Sequence, residues 1–394
     1  MYQGNASGMS GYEKLRSLHD NVALKSSRKV DIIQDPKLVS VHENGKSISI
    51  PNGQDEFGNY FQNRVTFSDN SITQIGQWCG MGTRYPKFIM GNEASPLLAD
   101  NFNYWFQNKK TSPRMFRLYK PDAETGVMGK LRSFNSDLFR RLDDEILCRV
   151  IEPLMDKYPD LEIASANVNE DFFNVKFLFP EMEGEIQEGD TVRAGFRLKN
   201  SEIGKSFLRI DFLIMRLVCS NGMVASSVEH AIKRRHGGYR QPIGVQPKFL
   251  EGEWHNQPEW EWVHSFEAEV KKMVTHCTSP GRWQNYLEKM RESTGGQPIK
   301  FLSPISERNP SIASVELLTK TFGLSADEKR RINFAFLRSG DYTKWGFVNA
   351  ITRAANDSTN YDSATNLEEL GGKVLSFNNR QWLPFVEAEY KEAA

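Results

Sequence analysis

The alternation of apolar and polar positions predicts a series of β-strands in the middle of the chain. Residues 172–179 alternate in this way, residues 191–198 form a second candidate strand, and residues 207–219 form a longer third one. Asn221-Gly222 follows the third stretch, and this pair is a strong signal for a β-hairpin turn. These segments predict an antiparallel sheet.

Turn and helix signals predict the elements that precede this sheet. Short alternating stretches over residues 39–50 indicate strands, with Asn44-Gly45 as the turn between them. A helix is predicted after Pro96, because the following apolar residues recur at helical spacing. These residues are Leu97, Leu98, Phe102 and Trp105. The surrounding stretch is rich in aromatic residues, namely Trp78, Tyr85, Phe88, Phe102, Tyr104, Trp105 and Phe106.

Helical spacing also dominates the C-terminal third. Residues 263–277 and residues 345–355 each place apolar side chains along one helical face. Ser325 and Glu328 have the spacing of a capping box, which predicts the start of another helix. The C-terminal third is therefore expected to be mainly helical.

Together these patterns predict an α+β fold with a central antiparallel sheet, flanking helices and a mostly helical C-terminal third. Residues 1–30 are rich in Gly, Ser and polar residues, which is typical of a flexible N-terminal tail. Residues 31–250 are expected to form the α+β core. Residues 251–394 are expected to form a mainly helical region packed on that core.

Composition excludes two broad classes of protein. Of the 394 residues, 39% are hydrophobic and 11% aromatic, which is enough for a packed core and excludes a disordered chain. Lys plus Arg and Asp plus Glu each total 50, so the chain is not the uniformly basic type of nucleic-acid binder.

The neutral total hides an uneven distribution of charge. Residues 191–240 carry a net charge of +7, from ten basic and three acidic residues. The basic residues are Arg193, Arg197, Lys199, Lys205, Arg209, Arg216, Lys233, Arg234, Arg235 and Arg240. Residues 251–270 hold six glutamates and no basic residue. The acidic segment could meet the basic region of a neighbouring subunit, so a homo-oligomer is expected.

A basic sheet region with flexible glycines suits a nucleic-acid backbone, because ammonium and guanidinium groups displace counterions from phosphates and aromatic rings stack on bases. The residues predicted to bind nucleic acid are Lys199, Lys205, Lys233, Arg234, Arg235, Tyr239 and Arg240. The alternative is that residues 233–235 form the solvated C-terminal end of a helix that begins at Ser226.

The sequence contains no complete motif for catalysis, metal binding or nucleotide binding. Gly204-Lys205-Ser206 resembles the end of a phosphate-binding loop, but position 199 is a lysine where that motif needs glycine. Asp143, Asp144 and Glu145 fit the start of a helix, where the dipole favours acidic residues. Glu269 and Lys271 lie two apart on a predicted helix and point in different directions. The histidines lack metal-ligand spacing. No catalytic residue, metal or cofactor is predicted.

Three features predict a cytoplasmic protein. The N-terminus lacks the basic start and apolar run of a secretory signal, and no stretch approaches the length of a membrane-spanning helix. The four cysteines lie far apart in the sequence, which favours buried thiols in a reducing compartment. They are Cys79, Cys148, Cys219 and Cys277.

Four local signatures resemble the phage- and plasmid-encoded proteins of domain of unknown function 932. They span residues 94–105, 131–143, 195–223 and 345–352, and the third, with Asn200-Ser201-Glu202-Ile203-Gly204, is the most specific. The second departs from the family pattern at Asn135 and Leu138. The resemblance implies carriage on a phage, prophage or plasmid and a cytoplasmic setting in the host cell. It supplies no established catalytic residues.

The leading hypothesis is therefore a non-catalytic nucleic-acid-binding protein of a mobile element, with single-stranded DNA the favoured ligand and recombination or strand protection the expected role. One alternative is a metal-dependent nuclease or nucleic-acid-modifying enzyme. A second alternative is a counter-defence protein that acts through a protein interface. The sequence does not decide between DNA and RNA or set the oligomer size.

Overall fold

A computed structural model describes most of the chain and contains two β-sheets surrounded by helices. The described residues are 2–3, 11–54, 60–110, 112–121, 126, 128–139, 141–217, 221–224, 231–234, 260–296, 298–299, 312–358 and 361–388. Within these ranges the fold is α+β and the C-terminal third is helical, as the sequence predicts. No helix within them is both long and apolar enough to cross a membrane.

Thirteen strands and twelve α-helices lie in the described residues. The strands are β1 (Tyr2–Gln3), β2 (Lys29–Gln34), β3 (Ser40–Val41), β4 (Ser47–Gln54), β5 (Tyr60–Phe67), β6 (Arg114–Tyr119), β7 (Lys130–Ser136), β8 (Glu162–Val168), β9 (Phe173–Glu185), β10 (Thr191–Asn200), β11 (Leu208–Arg216), β12 (Asn221–Val224) and β13 (Ala231–Arg234). The helices are α1 (Gly11–Ser26), α2 (Asp69–Cys79), α3 (Arg84–Gly91), α4 (Ser95–Asn108), α5 (Asp144–Lys157), α6 (Trp260–Cys277), α7 (Pro280–Glu292), α8 (Ala313–Phe322), α9 (Ala326–Ser339), α10 (Lys344–Asn356), α11 (Tyr361–Leu375) and α12 (Asn379–Val386).

The larger sheet has the strand order β1-β8-β9-β10-β11-β12, and β13 also pairs with β11. Every pairing among these strands is antiparallel. The three strands predicted from alternation are β9, β10 and β11 at its centre. Gly195 lies at an irregularity of β10, where an added Cβ would fall 1.8 Å from the carbonyl oxygen of Phe177. A side chain at this position would therefore separate β9 from β10.

One prediction and one alternative interpretation at the edge of this sheet are wrong. Asn221-Gly222 does not form a turn, because both residues lie in β12 and pair with Arg216 and Met215 of β11. Residues 231–234 form strand β13 rather than the end of a helix, because they pair with the first residues of β11.

Of the smaller sheet, only the hairpin of β3 and β4 was predicted from the sequence. Its order is β2-β6-β7-β5-β4-β3, and only the β5–β7 pair is parallel among the described pairings. The predicted turn at Asn44-Gly45 is confirmed between β3 and β4, and Gly45 has the left-handed φ of 64° that favours glycine. One face of the sheet is apolar, with Phe116 and Phe134 packed against Phe102 and Phe106 of α4.

Helices from both ends of the chain cover the larger sheet. The predicted capping box of Ser325 and Glu328 is present at the start of α9. In α10, Trp345 is buried and its Nε1 donates to Asp190 Oδ2 at 2.8 Å, which ties this helix to the end of the sheet. Residues 11–26 of the predicted tail instead form α1, because Leu15 and Leu18 supply an apolar stripe that is buried in the core next to α5.

Candidate nucleic-acid interface

Most basic residues of the larger sheet are neutralised within the chain. Arg193 Nε lies 2.7 Å from Glu183 Oε2 on the neighbouring strand, and Arg193 Nη1 lies 3.1 Å from Glu162 Oε2 on β8. Arg216 pairs with Asp190, the residue that also binds Trp345. Arg193 and Arg216 therefore do not contribute to an open basic surface, although the sequence counts them in the positive excess.

Arg197 is the centre of a buried ion network. Its guanidinium is fully buried, with Nη2 2.6 Å from Asp211 Oδ2 and 3.0 Å from Glu369 Oε1. Nη1 lies 3.4 Å from Glu368 Oε2. Arg209 joins the network through Asp211 and Glu369, at 2.7 Å and 2.6 Å. Buried charges need such partners, because leaving one unpaired away from water costs several kcal/mol.

Lys199 also lies inside the protein. It is 7% exposed and its Nζ lies 5.3 Å from the centre of the Phe172 ring. In the sheet register it is opposite Asn174 on one side and Arg209 on the other. Its burial removes Lys199 from any open surface, although the sequence predicts it as a nucleic-acid ligand.

Lys205 and Phe207 are exposed in the loop between β10 and β11. Lys205 is 31% exposed, and its Nζ lies 2.6 Å from Oδ2 of Asp171, which is also exposed. The Phe207 side chain is 42% exposed. Gly204 has a φ of 80°, which lets the loop turn tightly before Lys205. Surface ion pairs of this kind contribute only about 0–1 kcal/mol, so a phosphate can replace the carboxylate at little cost.

Strand β13 ends beside this loop. Lys233 is opposite Arg209 and Arg234 is opposite Leu208, the first residue of β11. Because the loop runs directly into Leu208, residues 233–234 lie at the same end of the larger sheet as the loop. We name Lys205, Phe207, Lys233 and Arg234 the hairpin end. The predicted ligands Arg235, Tyr239 and Arg240 lie outside the described residues.

A buried set of charges holds the loop in place, and we name it the junction cluster. It consists of Lys29, Asp31, Arg117, Arg132, Asp143, Asp144 and Glu202. The Glu202 carboxylate pairs with Lys29 and Arg132 of the smaller sheet, and Oε1 accepts a 2.8 Å hydrogen bond from the Asp144 backbone N–H. Gln74 of α2 donates to the Ile203 carbonyl at 3.0 Å. The loop is thus fixed to the smaller sheet and to α2.

The two acidic residues at the centre of the junction cluster have opposite pKa shifts. Burial raises the pKa of Asp144 to about 7, and the negative charge of Glu202 adds to the shift. Burial acts on Glu202 in the same direction, but Arg132, Lys29 and Arg117 outweigh it and hold its pKa well below the ordinary value. Both carboxylates are buried, and the cluster links the loop to the smaller sheet and to the start of α5.

Sequence reasoning missed this cluster. The sequence predicts Asp144 as an ordinary acidic residue of a helix start and counts Glu202 only as one of three acidic residues in a basic region. The available signal is the position of Glu202 within the most specific signature, in a turn between two apolar strands. Its partners Lys29 and Arg132 are 173 and 70 residues away, so spacing carries no signal.

The described residues offer no metal centre. No group of three or more His, Cys, Asp or Glu within them could hold a metal ion. Cys79, Cys148 and Cys277 are buried free thiols, and burial raises the pKa of Cys79 to about 12. Such thiols stay protonated and unreactive.

Comparison with known proteins gives a family but no named relative. A family model described as "Domain of unknown function (DUF932)" matches residues 164–365. No curated protein and no solved structure matches the chain. The matched range runs from β8 into α11 and includes the loop that carries Glu202 and Lys205. Since it covers 202 of the 394 residues, the chain belongs to the family of domain of unknown function 932.

Proposed function

We propose that the protein binds single-stranded nucleic acid, with single-stranded DNA as the favoured ligand, and that the hairpin end is the contact surface. The observation that supports this most directly is the pairing of Arg234 with Leu208. It places the backbone of Lys233 and Arg234 at the end of the sheet where the loop with Lys205 and Phe207 enters β11. Binding requires no catalytic group, and the proposal includes none.

The hairpin end has the chemistry that a single strand needs. Cations neutralise phosphates at any sequence, and an exposed aromatic ring stacks on an unpaired base. Lys205 can exchange Asp171 for a phosphate because both side chains of that pair are exposed. Phe207 follows two residues later and is exposed beside it. Stacking of one base on such a ring contributes about 1–3 kcal/mol.

The junction cluster supports the same proposal. Glu202, three residues before Lys205, is held by three cations, so the loop starts from a fixed backbone. A fixed loop loses little conformational entropy when it binds a ligand. Strand protection or annealing during recombination, a homo-oligomeric state, a cytoplasmic location and carriage on a phage or plasmid remain predictions from the sequence.

The test is a salt series with a triple variant, Lys205→Ala, Lys233→Ala and Arg234→Ala. Fluorescence anisotropy of a labelled single-stranded DNA gives the affinity at several salt concentrations. Each lost phosphate contact is expected to reduce the slope of log affinity against log salt by about 0.7, so the triple variant loses about 2. Phe207→Ala is expected to weaken binding about tenfold without changing the slope.

A matched control removes cations elsewhere. Arg330 and Arg353 lie on α9 and α10, are exposed, and form only surface pairs with Asp327 and Asp357 in the described residues. Their double replacement by alanine is expected to leave the slope unchanged. If the triple variant stays folded by circular dichroism and binds with the wild-type slope, the hairpin end is not the contact surface. If the wild type shows no affinity at low salt, the proposed function is wrong.

A further inference from the structure

Helices α3 and α4 expose an unusual number of aromatic side chains. Phe88 is 66% exposed and Tyr104 is 59% exposed, and Tyr85 and Trp105 are exposed beside them. Phe102, in the same aromatic-rich stretch of the sequence, is instead buried in the core of the smaller sheet. Exposed apolar groups concentrated on one part of a surface indicate a binding site.

The start of α3 and the end of α4 both contact α2. Pro86 near the start of α3 packs against Gly76 of α2, where an added Cβ would lie 2.4 Å from Pro86 Cγ. Lys109 at the end of α4 donates to the Trp78 carbonyl of the same helix α2, and its Nζ lies 4.9 Å from the Trp78 ring. The start of α3 and the end of α4 therefore lie together against the last turn of α2.

The exposed charges of α3 are all positive, while the turn after it exposes Glu93 and the first half of α4 exposes Asp100. Between and beside its aromatic residues the helix exposes Arg84 and Lys87, and it carries no acidic residue. None of the ion pairs among the described residues includes Arg84 or Lys87. This differs from the larger sheet, where Arg193, Arg197 and Arg209 all have acidic partners.

These charges select the kind of partner. Arg84 and Lys87 of α3 are exposed and take part in no ion pair among the described residues, so this helix favours an anionic partner. Arg, Lys, Phe and Tyr side by side fit a polyanion that also presents flat rings, and a single-stranded nucleic acid has phosphates and unpaired bases in alternation.

We infer that α3 and α4 form a second contact surface for single-stranded nucleic acid, which we name the aromatic–basic face. Its residues are Arg84, Tyr85, Lys87, Phe88, Tyr104 and Trp105. The inference rests on the proposed function and adds a second place where the same strand is held. Aromatic rings supply stacking there, while Arg84 and Lys87 contact phosphates.

Helix α2 connects this face to the hairpin end. Gln74 and Asn70 of α2 donate to the Ile203 carbonyl of the loop, and Gly76 of the same helix contacts α3. The helix has 11 residues, so its length is about 16 Å. The single-strand site of one OB-fold covers about 4 to 16 nucleotides, and on that scale a longer strand can reach both surfaces and a short one only one of them.

Strand length therefore separates the two surfaces in an experiment. The double variant Phe88→Ala and Tyr104→Ala is compared with wild type by anisotropy, using oligonucleotides of about 6 and about 30 nucleotides. We expect about tenfold weaker binding of the long strand and unchanged binding of the short strand. Phe334→Ala is the matched control, because this phenylalanine is 62% exposed but lies on α9. It is expected to change neither affinity.

Each other outcome contradicts a specific step. If wild type binds both strands and the double variant binds both equally well, the aromatic–basic face is not a contact surface and the hairpin end remains. If wild type binds neither strand, the proposed function fails and this inference fails with it. If the double variant loses affinity for a second protein copy in gel filtration while strand binding is unchanged, the face is a protein interface and the inference is wrong.

Discussion

Replacement of Asp144 with asparagine tests the electrostatics of the junction cluster. Asp144 is buried, and its carboxylate faces Glu202, Asp143, Lys29 and the Asn200 amide. Asparagine has the shape of the protonated acid and keeps an oxygen that accepts the 3.1 Å hydrogen bond from Asn200 Nδ2. It cannot ionise, and its NH2 group replaces the O–H of the protonated acid as the donor.

The sign of the effect follows from the raised pKa. The pKa of Asp144 rises from 3.8 to about 7 on folding, so the folded state holds its proton after the unfolded state has lost it. Its contribution to stability is fully present below pH 3.8 and is lost as the pH rises to about 7. One pKa unit corresponds to 1.36 kcal/mol, and the group is half ionised at pH 7, so between pH 5 and pH 7 the wild type loses about 2 kcal/mol through this group.

Glu202 does not interfere in this window. Its pKa is lowered on folding, so its contribution is present above 4.5 and is lost only as the pH falls below that value. The asparagine variant lacks the Asp144 contribution at every pH. We therefore expect its free energy of unfolding, relative to wild type, to rise by about 3 kcal/mol from pH 5 to pH 8.

Urea denaturation of both proteins at pH 5, 6, 7 and 8 measures this difference, with the slope against urea checking that both unfold alike. Glu145→Gln is the control, because Glu145 is the next residue on α5 but forms a surface pair with Arg149. Its curve is expected to run parallel to wild type. If the Asp144→Asn curve is also parallel to wild type, the proposed burial and charge repulsion at Asp144 are wrong.

Two further substitutions test the larger sheet. Arg197→Met removes the only fully buried cation of the Arg197 network and leaves Asp211 and Glu368 without it, so we expect a loss of about 3–5 kcal/mol in the free energy of unfolding. Stability equal to wild type in urea denaturation would contradict the network. Gly195→Ala places a Cβ 1.8 Å from the Phe177 carbonyl oxygen, and we expect a loss of at least about 1–3 kcal/mol from the forced separation of β9 and β10. An unchanged melting temperature would show that the strands can move apart freely.

The strands that were predicted correctly have one simple feature in common. In β9 and β10, side chains such as Phe177, Phe196 and Leu198 are buried at regular positions, so alternation in the sequence follows the two faces of the sheet. In β6 this rule fails, because Met115 and Phe116 are adjacent apolar residues and its segment Arg114–Tyr119 does not alternate. Arg117 of β6, like Arg197 of β10, is fully buried although its charge predicts exposure. A buried arginine is invisible to a method that equates charge with exposure.

The candidate site was predictable only in part, and for a related reason. Counting charges over residues 191–240 cannot reveal that Arg197 and Arg209 are neutralised by Glu369, because that partner lies 172 and 160 residues away. Lys205 was identified correctly as a residue of the loop, but its exposure depends on packing against the smaller sheet. The glycines and serines of the first thirty residues masked the helical spacing of Leu15 and Leu18 in α1.

The position of Glu368 and Glu369 has a practical consequence for anyone who expresses part of this chain. The family model ends at residue 365, three positions before Glu368 and four before Glu369. A recombinant fragment cut at that border would keep Arg197 and Arg209 but discard two of their counter-charges, and a start at residue 164 would discard Lys29 and Arg132 from the other side of Glu202. A fragment limited to the residues that match the family model therefore lacks partners of its own buried charges.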